Sequence, residues 1–296
     1  MKNKKVTITH PDKIYWPDEK ITKGELIAYY ESVADYILPY LKNRPLSLKR
    51  NPNGIKGPAF FHKDAGDIAP DWMKTADIEA ESTQKIVHYL VCNDLASLQF
   101  IANLGCIEMN PWNSIVTSLD KPDYLVMDID PSDKNSFDEV IETANTIRQV
   151  LQKGGIDGFC KTSGSTGIHI YIPCGKKYPY EMVRDFAKLI ATLTQEQMPA
   201  NTTLERSLSK RKSNQIYIDY LQNSRGQTLA SAYSVRPKPN ATVSAPLEWK
   251  EVKKGLQPSD FTIKNMSKRL EKKGDLFKGV LGKGMDLKKA IKLLGA

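Results

Sequence analysis

The stretch Tyr124-Leu-Val-Met-Asp-Ile-Asp130, followed at once by Pro131, constrains this chain more than any other segment. Its apolar entry reads as a buried strand, and Pro131, which cannot donate to a ladder, ends it. Side chains alternate across a strand, so Asp128 and Asp130 share one face while Met127 and Ile129 share the other. Two carboxylates about 7 Å apart on one strand repel each other and resist burial unless something positive lies between them. A divalent cation is the economical solution, since oxygen ligands suit Mg²⁺ or Mn²⁺ and phosphates complete the shell. The same residues also suit a plain strand end, with Asp130 capping a turn and Asp128 in water.

The surrounding segments alternate between strand and helix signals. A short strand is expected over KVTITH (5–10). Thr22 with Glu25 then gives a capping box, and Leu26, Tyr29, Tyr30, Val33 and Ile37 form a helical stripe expected to end near Pro39. Residues 44–61 read as a strand, an Asn-Gly turn and a second short strand, and 86–92 as another strand. Asp94 can cap, and Gly105 close, the helix LASLQFIANLG. Ser136 with Glu139 opens a helix whose apolar positions 137, 140, 141, 144, 147 and 151 keep a 3.6-residue period up to Gly154-Gly155. GFCKTS and IHIYIP are strands around a tight SGSTG loop, 180–194 is a helix, and IYIDY (216–220) is a strand. Such alternation points to mixed α/β layers and away from a bundle or sandwich. Residues 238–262 are punctuated by proline and read as a surface wrap before a final helical segment.

Composition narrows the class. With 296 residues the chain can build one large or two modest domains without a metal or disulfide staple. Cysteines 92, 106, 160 and 174 are scattered with no paired spacing, which argues against a zinc site and fits a reducing cytosol. The N-terminus has no apolar leader core, and no stretch approaches the ~20 apolar residues of a membrane span. Of the net +9, residues 263–296 carry +7, from ten basic against three acidic residues. That tail suits either a solvated surface or a contact with a phosphate backbone.

Further residues strengthen the case for phosphoryl-transfer chemistry. Asp219 ends the apolar IYIDY strand, where a core strand gains little from charge, and it can supply a third carboxylate to a two-metal centre. In KTSGSTGIHIYIP, Gly164 and Gly167 permit positive φ and bring backbone N–H groups near an anion, while Ser163, Ser165 and Thr166 add hydroxyls. His169 can meet a phosphate oxygen; a hairpin turn with a half-buried histidine is the plainer alternative. The loop is not a Walker A motif, lacking its spacing and its GK[ST] ending. Arg206, Lys210, Arg211 and Lys212 precede the Asp219 strand, and Gln222, Asn223 and Arg236 follow it; an arginine fork can take triphosphate oxygens. Lysines and aromatics mix in the first third. Phe60 and Phe61 are expected to split, one ring in the core and the other free to stack on a nucleic acid.

Taken together, DKIYWPDEKITKGELIAYY, RPLSLKRNPNGIKGPAFFHKDAGDIAPDW, LQFIANLGCIEMNPW, PDYLVMDIDPSD, CKTSGSTGIHIYIP, SKRKSNQIYIDYLQN, ASAYSVRPKPNATVSAPLEWKEV and RLEKKGDLF resemble one family in order over residues 10–278. That family is the polymerase domain of the bacterial and archaeal end-joining ligase proteins, within the archaeo-eukaryotic primase superfamily. The resemblance implies an α+β primase-like fold with mixed and antiparallel central sheets flanked by helices. It implies one module over 1–296: a DNA-end and template-binding part to about 110, a catalytic part over about 111–240, and a C-terminal wrap and basic tail over about 241–296. By the same resemblance Asp128, Asp130 and Asp219 are the metal-binding catalytic acids, with Mn²⁺ or Mg²⁺ as cofactor and NTP or dNTP as substrate. Lys49, Asn110, Ser163, Thr166, His169, Lys212, Gln222 and Arg236 belong to the nucleotide site. Lys13 and Lys23 recognise a DNA 5′-phosphate, and Phe60 and Phe61 stack on template. Implied partners are gapped or broken DNA, a Ku-like end-binding protein and an ATP-dependent DNA ligase; a cytoplasmic, nucleoid-associated monomer with no membrane contact is expected.

Two positions depart from the family pattern. Asn110 stands where relatives commonly carry histidine, and it can donate a hydrogen bond but carries no charge. Thr166 stands where relatives often carry lysine, which shifts the expected triphosphate binding towards His169, Arg236 and backbone N–H groups. The chain resembles only the polymerase module; a stand-alone protein and a part of a larger one both fit, with Met1 and the tail favouring the former. The expected reaction is template-directed transfer of a nucleotide to a primer 3′-hydroxyl, with ribonucleotides favoured. Two rival functions are a non-catalytic module that bridges DNA ends and a DxD sugar-nucleotide transferase.

Overall fold

The computed structural model describes residues 4–81 and 83–295; residues 1–3, 82 and 296, and with them the ends of the expected 1–296 module, lie outside the described residues. The chain forms two units, each assembled from discontinuous segments. The first takes Met1–Thr117, Thr228–Ser244 and Phe261–Gly274, and the second Ser118–Gln227, Ala245–Asp260 and Asp275–Ala296.

In the first unit, β1 (Ile14–Trp16) and β2 (Ile21–Thr22) form an antiparallel ribbon that runs into α1 (Lys23–Ser32). The capping box is present: the Thr22 hydroxyl accepts from the Glu25 N–H, and the Glu25 carboxylate accepts from the Thr22 N–H. The apolar stripe continues in α2 (Ala34–Leu41), which starts afresh after Val33 and runs past Pro39. Pro39 lacks the N–H that would bond Asp35, and the helix ends two residues on, at Leu41, near the stop expected there, with Ile37, Leu38, Tyr40 and Leu41 buried. The expected strand over 5–10 is absent. That segment is instead tied by side chains, with the Thr9 N–H donating to Asn103 Oδ1 at 3.0 Å and Lys23 donating to the Thr9 carbonyl at 2.7 Å.

Strands β3 (Leu46–Arg50), β4 (Phe60–His62), β5 (Lys74–Glu79) and β6 (Ile86–Val91) follow, then α3 (Leu95–Asn103), capped by Asp94, and β7 (Cys106–Pro111). They make an antiparallel sheet in the order β4-β3-β7 and a separate β5-β6 hairpin.

The second unit is built on β8 (Tyr124–Asp130), α4 (Phe137–Lys153), β9 (Phe159–Thr162), β10 (Ile168–Pro173), α5 (Tyr180–Gln197), β11 (Thr202–Thr203), β12 (Ile216–Asp219) and β13 (Pro246–Leu247). Its six-stranded sheet runs β11-β12-β8-β10-β9-β13, antiparallel except between β11 and β12. The central strand β8 is flanked on both sides, which is why residues 124–129 are all buried. Met127 and Ile129 are fully buried, each contributing roughly 1.5–3 kcal/mol of apolar burial. Both α4 and α5 pack on this sheet and on each other. Last in the chain, α6 (Met266–Lys273) belongs to the first unit and α7 (Leu287–Leu294) to the second. The architecture is α+β, and no helix among the described residues is long and apolar enough to cross a membrane.

Candidate active site

One row of side chains runs across four strands of the second sheet. Register pairs Asp219 of β12 with Asp128 of β8, Asp128 with His169 of β10, and His169 with Lys161 of β9. Asp130, two residues beyond Asp128, shares that face. One carboxylate oxygen from each of Asp128, Asp130 and Asp219 lies within 4.8 Å of the others. Asp128 is buried, Asp219 half-buried and Asp130 exposed, so the cluster opens towards the C-terminal end of β8. Three converging carboxylates form an all-oxygen, hard donor set, which fits Mg²⁺ or Mn²⁺ and does not fit a soft metal.

Neighbouring groups fix each acid. Asp219 Oδ1 accepts from the Tyr217 hydroxyl at 3.1 Å and the Leu221 N–H at 2.8 Å, and Oδ2 accepts from Gln222 Nε2 at 3.3 Å. Burial, and next the charge of Asp219, push the Tyr217 phenol far above its ordinary value, so it stays a donor at neutral pH. The Arg211 guanidinium lies 3.8 Å from the Tyr217 ring centroid. Asp128 Oδ1 is 3.2 Å from His169 Nε2, and His169 Nδ1 is 2.8 Å from Lys161 Nζ, a side chain with no solvent exposure.

The Ser-Gly loop joins β9 to β10 as a tight hairpin. Gly164 has φ of 70°, as expected, but Gly167 does not adopt positive φ. Its glycine is required by proximity instead: a Cβ there would lie 2.1 Å from the Ile129 carbonyl oxygen. Ser163 Oγ accepts from the Ser165 and Gly167 N–H groups, both at 3.0 Å, so the loop's amides brace the turn. Thr166 and Lys212 are exposed.

The other predicted residues belong to the first unit. Lys49 and Glu108 are register partners on β3 and β7, with Nζ 3.9 Å from Glu108 Oε2. Arg236 Nε donates to the same oxygen at 2.8 Å. Asn110 is buried and donates to the Ser47 carbonyl at 3.1 Å. Neither phenylalanine is in the core: Phe60 is 45% and Phe61 59% exposed. They sit on the edge strand β4, where each ring meets its register partner, Arg50 over Phe60 and Lys49 over Phe61. A two-residue period turns the rings to opposite faces, and a three-stranded sheet has no layer here to cover either. Lys13 is exposed and donates to Asn53 Oδ1 at 2.6 Å, while Lys23, at the first turn of α1, is buried. Burial, then the charge of Lys13, hold the Lys23 ammonium below the usual lysine value.

Reading the sequence missed Glu108, Lys161 and Tyr217. Lys161 was detectable, because it shares a strand face with Ser163 in the KTSG run. Glu108 was not, since the cations it pairs with come from distant segments.

Residues 22–277 match the family model described as LigD, primase-polymerase domain. The chain is 35% identical over 272 residues to the bifunctional non-homologous end joining protein LigD of Bacillus subtilis, covering 91% of this chain and 43% of that protein. It is 29% identical to the multifunctional LigD of Pseudomonas aeruginosa, covering 90% of this chain and 31% of that one. The chain therefore spans less than half the length of these relatives. Among solved structures, it is similar to the polymerase domain from Mycobacterium tuberculosis Ligase D in complex with DNA, with a TM-score of 0.87 at 28% identity, covering 96% of this chain and all of that one.

Proposed function

This chain belongs to the LigD primase-polymerase domain family, and on that footing we propose that it is a template-directed nucleotidyltransferase that fills gaps and extends ends in non-homologous end joining. The observation that carries the reading is the convergence of Asp128, Asp130 and Asp219 within 4.8 Å. Divalent cations, Mn²⁺ or Mg²⁺, would supply the charge that acidifies a primer 3′-hydroxyl and neutralises the triphosphate. The three carboxylates would hold that charge in place; Tyr217 and Gln222 orient Asp219, and His169 lies 3.2 Å from Asp128. The primer O3′ forms a bond to the α-phosphorus of the incoming nucleotide, and the bond to the bridging oxygen breaks to release pyrophosphate. Positioning and charge neutralisation suffice, so no side-chain nucleophile takes part.

We assign nucleotide binding to Lys49, Asn110, Ser163, Thr166, His169, Lys212, Gln222 and Arg236. Lys13 and Lys23 take the 5′-phosphate of a downstream DNA end, supported by the proximity of the two lysines, the Lys23 N–H donating to the Lys13 carbonyl at 2.8 Å. Phe60 and Phe61 stack on template, supported by their exposure. DNA with gaps or broken ends is the substrate, ribonucleotides are favoured, and a Ku-like protein and an ATP-dependent ligase are the working partners.

The test is extension of a 5′-phosphorylated gapped duplex with NTP or dNTP and with Mn²⁺ or Mg²⁺. Asp128→Ala should lower extension by roughly 10³-fold or more while circular dichroism stays native. Near-normal extension by the folded variant would refute the assignment, and DNA binding without incorporation by the wild type would favour a bridging module. In the same assay, Lys13→Ala should weaken binding only when the downstream end is phosphorylated.

A further inference from the structure

Ahead of Asp128, β8 loses its neighbour on one side where β12 stops. Antiparallel register sets Tyr217 opposite Asp130, Ile218 opposite Ile129 and Asp219 opposite Asp128, and the pairing ends there. Carried two residues further, it would set Leu221 opposite Val126, with the Leu221 N–H on the Val126 carbonyl. A side chain takes that place instead. Asn223 is 1% exposed; its Oδ1 accepts from the Val126 N–H at 2.7 Å, and its Nδ2 donates to the Val126 carbonyl at 2.7 Å. A carboxamide carries the same donor and acceptor as a peptide group, so it completes the ladder on both atoms of Val126. Nδ2 also donates to the Tyr220 carbonyl at 2.9 Å, which closes the short 3-10 turn over Leu221–Asn223. A backbone N–H can only donate, so the amide oxygen must face it, and the orientation of the group has one solution.

We propose that Asn223 is a positioning residue: standing in for a strand residue beside Val126, it ends β12 at Asp219 and turns the chain back so that Leu221 and Gln222 hold the Asp219 carboxylate. The Leu221 N–H, released from the ladder, donates to Asp219 Oδ1 at 2.8 Å, and Gln222 Nε2 donates to Oδ2 at 3.3 Å. Each oxygen of Asp219 is thus tied by a residue of the turn that Asn223 pins. The pin sits on Val126, two residues from Asp128 on the same strand, so the turn is fixed against the strand that carries two of the three acids. Outer partners of this kind set a carboxylate's orientation and tune how firmly it holds a cation. The inference deepens the polymerase reading and rests on it for its catalytic consequence.

The experiment compares wild type with Asn223→Ala, which removes the amide, and Asn223→Gln, which keeps its donors and acceptor but sets them one bond further out. The first readout is the ¹H–¹⁵N resonance and hydrogen exchange of the Val126 and Leu221 amides in metal-free protein. In both variants the Val126 amide should exchange faster than in the wild type, and the Leu221 resonance should shift as its bond to Asp219 is lost. The second is Mn²⁺ binding by calorimetry, where each variant should lose about 10-fold in affinity. The third is gap filling, which should fall at limiting Mn²⁺ and recover at saturating Mn²⁺, while affinity for gapped DNA stays unchanged. A folded Asn223→Ala with the wild-type Leu221 resonance or with unchanged Mn²⁺ affinity would overturn the proposal, even if the variant melts earlier, because Asn223 would then only support the fold. Should Asn223→Ala not fold, either of those results in Asn223→Gln overturns it. Failure of the wild type to incorporate nucleotide sinks the polymerase reading, and the first two readouts still decide the role of Asn223.

Discussion

Each unit gathers a cluster of charge on antiparallel-paired strands, and the two clusters have opposite surpluses. In the second, Asp128, Asp130 and Asp219 converge beside the single ammonium of Lys161's row. In the first, Glu108 pairs with both Lys49 and Arg236. The same device builds both, because cross-strand register sets side chains of neighbouring strands about 5 Å apart. Where carboxylates occupy adjacent positions, the result is a seat for a cation. Where two cations meet one carboxylate, the proposed ligand is an anion such as a phosphate. Neither cluster is self-sufficient, and each is suited to a charged reactant of the opposite sign.

The largest expected effect tests the acidic cluster. Mn²⁺ should raise the melting temperature of the wild type, and Asp219→Asn should lose most of that rise, because one of three ligands becomes neutral. An equal rise in both proteins, followed by differential scanning fluorimetry, would break the comparison at its acidic end. Next in size is Glu108→Ala, which removes a buried carboxylate from beside Lys49 and Arg236 and should cost about 3 kcal/mol in urea unfolding. An unchanged midpoint and slope would mean that the basic cluster does not depend on its carboxylate. The smallest effect concerns another buried cation of the first unit. Lys23 is held below the usual lysine value of 10.5 by burial and by Lys13, so the unfolded chain binds its proton more readily than the folded one. Stability contributed at this site therefore rises as pH climbs through the lowered folded-state value and levels off above 10.5. Relative to Lys23→Met, the wild type should gain a small increment in melting temperature over that window, and a flat difference would show that Lys23 is not strained.

Much of the fold was legible locally. Both capping boxes, Thr22–Glu25 and Ser136–Glu139, open helices where they were expected, because each motif satisfies N–H groups within three residues. β8 and β10 were readable from largely apolar runs, interrupted only by the two aspartates of β8 and by His169. β5, β7, β11 and β13 were not. β11 and β13 have two residues each, and β7 mixes Glu108 and Asn110 into its pattern, so pairing with neighbours defines them more than composition does.

What the chain determined by itself was the set of acids and their shared face. Alternation along β8 places Asp128 beside Asp130 whatever else the protein does. Only the tertiary structure decided that β12 lies against β8 and brings Asp219 opposite Asp128, and that β9 and β10 deliver Lys161 to His169. Strand order in a sheet is set by long-range packing, which leaves no periodic mark on the residues being paired.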